Sequence, residues 1–390
     1  MRTESLWRNQ ATGAYRRPQG AAAKNKCEAP GVGGRRQRRL HAILNNPNMK
    51  IFKDAVLVFL ATVTLAVVSC GNGKAGLDYR RNTIPVKGEF LRMDELIKAP
   101  YDMVTVGTWL VYSDYFEGKM VSVYDLANNR FADRRVSVGN GPGEAVPPMY
   151  LLSFPLKDRL YAYQRNTATL NTFSVPDFRM LSSMTFASST PWRPFLIVKT
   201  KDYFIGETVY DKGRFGVYSS KGELLQTGGK YPFRGEEMER AAAFIMYQGH
   251  SCASPAGNYF ASGSLFCDHI AFYEAGENGI ALLKEHASHD VKASYSNQLV
   301  VDDDCTVGFT AAYGTASYCY MLFSGRTYAE NGQNSDGGRY IIVFDWQGNH
   351  VRTLETDREI RTFCVDEPNR AIYATALGDD GEYGIMKFKL

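Results

Sequence analysis

The 390-residue sequence predicts an all-β protein of repeated four-stranded sheets closed into a ring, and three observations carry that expectation. Beyond Thr83, short runs rich in aromatic and β-branched residues alternate with Gly, Asn and Asp turns, with hardly a convincing helical stretch between them. One strand pattern recurs five times. The chain also ends with three strands where its repeat needs four, while a strand-like segment near residue 83 has no neighbour of its own.

Taken in order, the strands read "WLVYSDY" from Trp109, "KMVSVYD" from Lys119, "RLYAYQR" from Arg159, "TLNTFSV" from Thr169, "DYFIGET" from Asp202 and "RFGVYSS" from Arg214. These are residue types that fit a pleated, packed surface. The third strand of each unit is the clearest: "VSVYDLANNRF" (from Val121), "LNTFSVPDFRM" (Leu170), "FGVYSSKGELL" (Phe215), "IAFYEAGENGI" (Ile270) and "IIVFDWQGNHV" (Ile341) start 49, 45, 55 and 71 residues apart. Four strands at such spacings are propeller blades, and the longer gaps are insertions. The closing "IRTFCVD", "AIYATALG" and "GIMKFKL" supply three strands, so "TIPVKGEFL" from Thr83 is expected to pair into this last blade and seal the ring. Sealing removes an edge whose unpaired N–H and C=O groups would otherwise recruit another chain. The expectation is a six-bladed β-propeller over residues 83–390, with five or seven blades as alternatives.

The segments "VGNGPGE" (138–144), "MLFSGRTY" (321–328) and "IIVFDWQGNHVRTLETD" (341–357) resemble the recurring segments of the TolB-like six-bladed β-propeller lipoproteins of Bacteroidetes, over most of residues 85–390. That resemblance implies a fold and a location far more than an activity.

The N-terminal part reads differently. "MKIFKDAVLVFLATVTLAVVSC" begins at Met49 with Lys50 and Lys53 as a basic head, followed by fourteen residues of apolar run (55–68) and Ser69-Cys70. This is the order of a secretory signal, and the run is too short to span a bilayer. Val67-Val68-Ser69-Cys70 resembles the lipobox of bacterial lipoproteins, with Val where Leu is usual. The resemblance implies cleavage of 49–69, acylation of Cys70 and a tether over 70–82. Several acyl chains on one cysteine anchor stably where a single one does not. Residues 1–48 hold ten Lys and Arg against two Glu and no apolar period, a composition that cannot bury enough surface to fold. They read as a non-native, disordered extension ahead of a true start at Met49, the alternative being a basic arm for nucleic acid.

Charge follows the same division. The whole chain is +4; residues 1–48 contribute +8 and residues 49–69 contribute +1, which leaves the part from Cys70 onward at −5. A nucleic-acid partner, which needs a basic stripe on the folded part, is therefore not expected. Five cysteines remain after Cys27 and Cys70: Cys252, Cys267, Cys305, Cys319 and Cys364. Odd in number and without a C-x-x-C pair, they form neither a zinc cage nor a dense disulfide framework. One or two bridges stay open in an oxidising compartment. The main expectation is buried packing, since Cys319 and Cys364 alternate with apolar neighbours as strand residues do.

No motif carries recognisable chemistry. The loop with Gly139, Gly141, Pro142, Gly143 and Glu144 lacks phosphate-loop spacing, Pro142 removes a backbone donor, and Pro147-Pro148 block a following helix. It reads as a structural inter-blade turn in which Glu144 pairs locally or meets a ligand. "EHASHD" (285–290) and "VDDDC" (301–305) gather metal-ligating residues without the spacing of a zinc or calcium site and read as polar loops. No G-x-S-x-G elbow is present. No cofactor or metal is expected and no catalytic residue is assigned; general-base candidates are few, with His250, His269 and His289 near predicted loops.

In an antiparallel blade, the connection to the next blade and the loop between second and third strands lie at the same end. That face is expected to carry Glu144, Arg165, Arg193, Arg240, His269, His289 and Arg326, together with the long insertion "GRTYAENGQNSDGGR" (325–339). Long loops on rigid scaffolds are disproportionately functional, disorder being the alternative. The leading expectation is a lipid-anchored binding module of the cell envelope that contacts an envelope protein or a glycan. The alternatives are a metal-dependent hydrolase or lyase acting on an extracellular sugar or lactone, and a structural subunit of an outer-membrane complex.

Overall fold

The computed structural model describes residues 78–98, 100–188, 190–232 and 238–390. The export segment, Cys70 and residues 1–48 lie outside the described residues.

The chain enters through β1 (Thr83–Val86) and β2 (Gly88–Phe90) and then builds antiparallel blades in sequence. Blade 1 is β3 (Met103–Val106), β4 (Trp109–Phe116), β5 (Lys119–Asp125) and β6 (Arg130–Ser137). Blade 2 is β7 (Met149–Leu151), β8 (Arg159–Gln164), β9 (Thr169–Ser174) and β10 (Met180–Thr185). Blade 3 is β11 (Leu196–Lys199), β12 (Phe204–Glu207), β13 (Phe215–Tyr218) and β14 (Leu224–Gly228). A helix, α1 (Arg240–Met246), precedes blade 4, which is β15 (Gly249–Ala253), β16 (Tyr259–Ser264), β17 (Ile270–Gly276) and β18 (Gly279–His286). A small hairpin, β19 (Ala293–Tyr295) with β20 (Leu299–Val301), stands between blades 4 and 5 in the chain.

The last two blades share one strand. β21 (Phe309–Gly314), β22 (Tyr318–Phe323) and β23 (Gly338–Asp345) pair with the first half of β24 (His350–Asp366) to make blade 5. The second half of β24 starts blade 6 and continues through β25 (Ala371–Leu377) and β26 (Tyr383–Lys389). The fourth strand of blade 6 is β2, antiparallel to β26 with Glu89 opposite Lys387. Six blades and closure by the N-terminal segment are what the sequence predicts. The closing strand is shorter than expected, however: the Thr83 end of the segment, β1, pairs in parallel with β24 at residues 353–356, beside blade 5. Residues ahead of β1 are already docked, with the Tyr79 ring 4.7 Å from that of Phe323 and 5.5 Å from that of Tyr340.

The recurring third strands are the interior of the molecule. Six consecutive residues of β5 and all four of β13 are buried, and the pattern holds in β9, β17 and β23. Blades stack face to face, so a middle strand is covered on both sides and reads as a continuous apolar run rather than an alternating one. Outer strands such as β10 bury little. Separate apolar clusters fill the seams, with Phe186, Phe204 and Tyr218 between blades 2 and 3, and Phe272, Phe309 and Phe344 between blades 4 and 5.

The helix α1 departs from the all-strand reading. Arg-Ala-Ala-Ala-Phe-Ile-Met favours a helix intrinsically, but seven residues do not sustain one in water. Burial of Ala242, Ala243, Phe244 and Met246 does so here.

Candidate functional site

Each blade turns its first strand toward the axis, and the first-strand segments together line a channel cavity of about 50 Å³. Every blade contributes a polar side chain in or beside its innermost strand: Asp102, Tyr150, Lys199, His250, Tyr313 and Thr362. The cavity is large and polar enough to hold ordered water.

Two of these groups are held in unusual charge states. Burial pushes the Asp102 carboxyl up to about 8, opposed by a hydrogen bond from the Leu151 backbone N–H. Its Oδ2 has no hydrogen-bond partner among the described residues. Burial lowers His250 to about 4, and the nearby Asp336 carboxylate only partly offsets that effect. At neutral pH both groups are therefore mostly uncharged. Lys199 is lowered by burial as well; its Nζ donates to the Thr200 and Lys201 carbonyls and lies over the Phe154 and Phe204 rings.

The insertion sits at the loop end of this channel. It is an internally bonded loop. Asn331 Nδ2 donates to the carbonyls of Asn334 and Asp336, and the Thr327 N–H donates to Glu330 Oε2. Asp336 accepts a 2.5 Å bond from Arg361 on the first strand of blade 6, and Arg361 also donates to the Tyr383 hydroxyl. Through Asp336 the insertion thus meets blade 6 by contact and blade 4 by its field on His250. Glu330, Gln333 and Asn334 face solvent.

The seven residues expected on the loop face all lie in inter-blade connections or second-to-third-strand loops, but the structure does not bring them to one point. Glu144 folds back into its own turn and accepts the Gly141 N–H at 2.8 Å. Gly139 permits this, because a Cβ there would sit 1.9 Å from Glu144 Oε2. Arg165 stacks on the Phe195 ring at 4.6 Å, and Arg193 is exposed. Arg240 opens α1, and Arg326 pairs with Glu359 at 2.7 Å. Only His269 and His289 converge, lining a small hollow with Tyr247, Cys267 and Asp290. His289 Nδ1 lies 3.2 Å from Asp268, and His269 Nε2 lies 3.4 Å from Glu285. Burial raises the Asp268 carboxyl, yet N–H bonds from His289 and Ser288 outweigh it and leave the group below its ordinary value. Among the described residues no group of three His, Cys, Asp or Glu is placed to hold a metal ion.

Of the channel groups, His250 was a sequence candidate, as one of the few histidines near a predicted loop, whereas Asp102 was not. Asp102 and His250 stand at the heads of first strands, "DMVTV" and "GHSCA", and a polar residue at that position was the available signal.

Residues 268–368 match the family model described as TolB-like 6-blade propeller-like. The match contains two of the three segments that carried the resemblance, 321–328 and 341–357. Among solved structures, the chain is similar to a member of the DUF4221 family from Bacteroides vulgatus ATCC 8482, at 10% identity and a TM-score of 0.53 over 80% of this chain and 99% of that one. A protein of Bacteroides fragilis NCTC 9343 described as exported aligns at 13% identity and a TM-score of 0.44, over 78% and 98% of the two chains. The Cps50 (Swd1) β-propeller domain of Myceliophteria thermophila aligns at 10% and 0.44, over 77% and 99%. At 10% identity the similarity to the DUF4221 protein speaks to the fold alone. No curated protein is similar to the chain.

Proposed function

We propose, for a chain that resembles the TolB-like six-bladed propellers, a lipid-anchored binding module of the cell envelope, whose insertion 325–339 and adjoining channel mouth contact an envelope protein or a glycan. The observation that carries this reading is the insertion itself: a long loop held in one shape by its own hydrogen bonds and by the Asp336–Arg361 pair, with Glu330, Gln333 and Asn334 presented to solvent. A preorganised polar surface of this kind binds without first paying to order itself. The signal-like segment 49–69 and Cys70 support the envelope location.

The test combines two changes in the native host. Replacing residues 327–335 by a short Gly-Ser link should abolish chemical cross-linking to a specific envelope partner, or retention on envelope glycans, while the melting temperature stays within a few degrees. Unchanged capture would contradict the binding surface. Cys70→Ala should release the protein from the membrane fraction, and undiminished membrane association would contradict the anchor.

A further inference from the structure

Cys252 lies on the first strand of blade 4 and Cys319 on the second strand of blade 5, sixty-seven residues apart in sequence. Their sulfurs are 3.3 Å apart. Both side chains are fully buried in the apolar seam between the two blades, with Phe272, Phe309 and Met321 around them. The backbone explains the approach. Gly314, the register partner of Cys319, lies against the backbone of Ala253, the residue after Cys252. A Cβ on Gly314 would come within 2.2 Å of the Ala253 oxygen, so glycine is what lets the two blades close here. The other cysteines are placed differently: Cys305 donates its S–H to the Phe266 carbonyl, and Cys364 belongs to the cluster that includes blade 6.

We propose that Cys252 and Cys319 form a disulfide that staples blade 4 to blade 5. A disulfide needs its sulfurs at about 2.05 Å, so closure requires an approach of about 1.3 Å from the 3.3 Å seen here. The two thiols lose two protons and two electrons. The acceptor is a protein or glutathione disulfide, which is reduced to two thiols as the new S–S bond forms. Because the pair is sealed from solvent in the folded seam, the bond forms during folding. The proposal rests on the envelope location, since reducing compartments keep such thiols apart. Linking residues this far apart restricts the unfolded chain and should lower the unfolding equilibrium constant by about 30- to 1,000-fold.

Two experiments on the full-length protein separate geometry from location. In the first, reduced protein is refolded from urea in a glutathione redox buffer, denatured, alkylated without reductant and digested. The expected result is one linked peptide pair joining Cys252 to Cys319, lighter by two hydrogens, with Cys267, Cys305 and Cys364 alkylated. A urea midpoint that falls on reduction should accompany it, and a Cys252→Ala/Cys319→Ala double variant should lose that dependence. In the second, thiols are trapped by acid and alkylation in the native host, and the same linked pair is expected. Alkylation of both cysteines after refolding overturns the proposal through its geometry. A bond in the refolded protein with free thiols in the host overturns it through its location, and leaves the seam geometry standing.

Discussion

Arg214 is wholly buried in the seam between blades 3 and 4. Its Nε donates to Glu207 Oε1 at 2.6 Å, and its Nη2 donates to the Tyr247 carbonyl and to Ser262 Oγ of blade 4. Burial drives Glu207 upward and the guanidinium opposes it. Removing one member of such a pair strands the other without water. Arg214→Ala should therefore cost about 3–5 kcal/mol in urea denaturation, whereas Glu207→Met together with Arg214→Met should recover most of that loss. Equal losses in both variants would show that packing volume rather than charge holds the seam. The channel groups give a pH signature. Between its unfolded value of 3.8 and its folded value of about 8, Asp102 keeps a proton that the unfolded chain has lost, so it makes stability fall as pH rises through that window. His250 acts oppositely between about 4 and 6.5, where the unfolded chain holds the proton. The two nearly cancel from pH 4 to 6.5, and Asp102 alone lowers stability from 6.5 to 8. In Asp102→Asn the decline above 6.5 should vanish and a rise from 4 to 6.5 should appear, as read from urea midpoints across pH. A profile unchanged from the parent would remove Asp102 from the account.

At the scale of elements, the two N-terminal strands have separable roles. β1 adds a fifth, parallel strand outside blade 5, while β2 completes blade 6 and covers the edge of β26. A chain begun at Lys87 should keep cooperative unfolding at a reduced melting temperature. One begun at Leu91 leaves the β26 edge open and should self-associate in sedimentation. The middle strands were legible in the sequence because blades cover them on both faces, which forces unbroken runs such as Phe215–Tyr218. The pairing of β1 was not legible. Thr83 meets Thr353 across 270 residues, and a four-residue strand with two exposed positions carries no register of its own. Nor was α1, whose seven residues are too few to display a helical period. The convergence of the channel groups escaped for a related reason: they come one per blade from distant strands, and no local spacing records that His250 and Asp102 line one cavity.

The described residues form a ring of similar sheets in which no blade buries its faces alone. Its stability lies in the seams, where one apolar cluster runs through blades 5, 6, 1 and 2 and smaller ones fill the seams from blade 2 to blade 5, and the ring persists only if the last seam is made by joining the two ends of the folded region. That rigidity holds the insertion and the channel mouth in place, and the binding role proposed for them depends on it. The closure can be measured directly. Glu89 and Lys387 are exposed register partners across β2 and β26. In a variant carrying Glu89→Cys and Lys387→Cys, mild oxidation of the monomer should yield a reducible cross-link between the first and last peptides of the folded region, in near-full yield and without loss of secondary structure. A folded monomer that forms no such link would contradict a ring sealed by its own N-terminal strand.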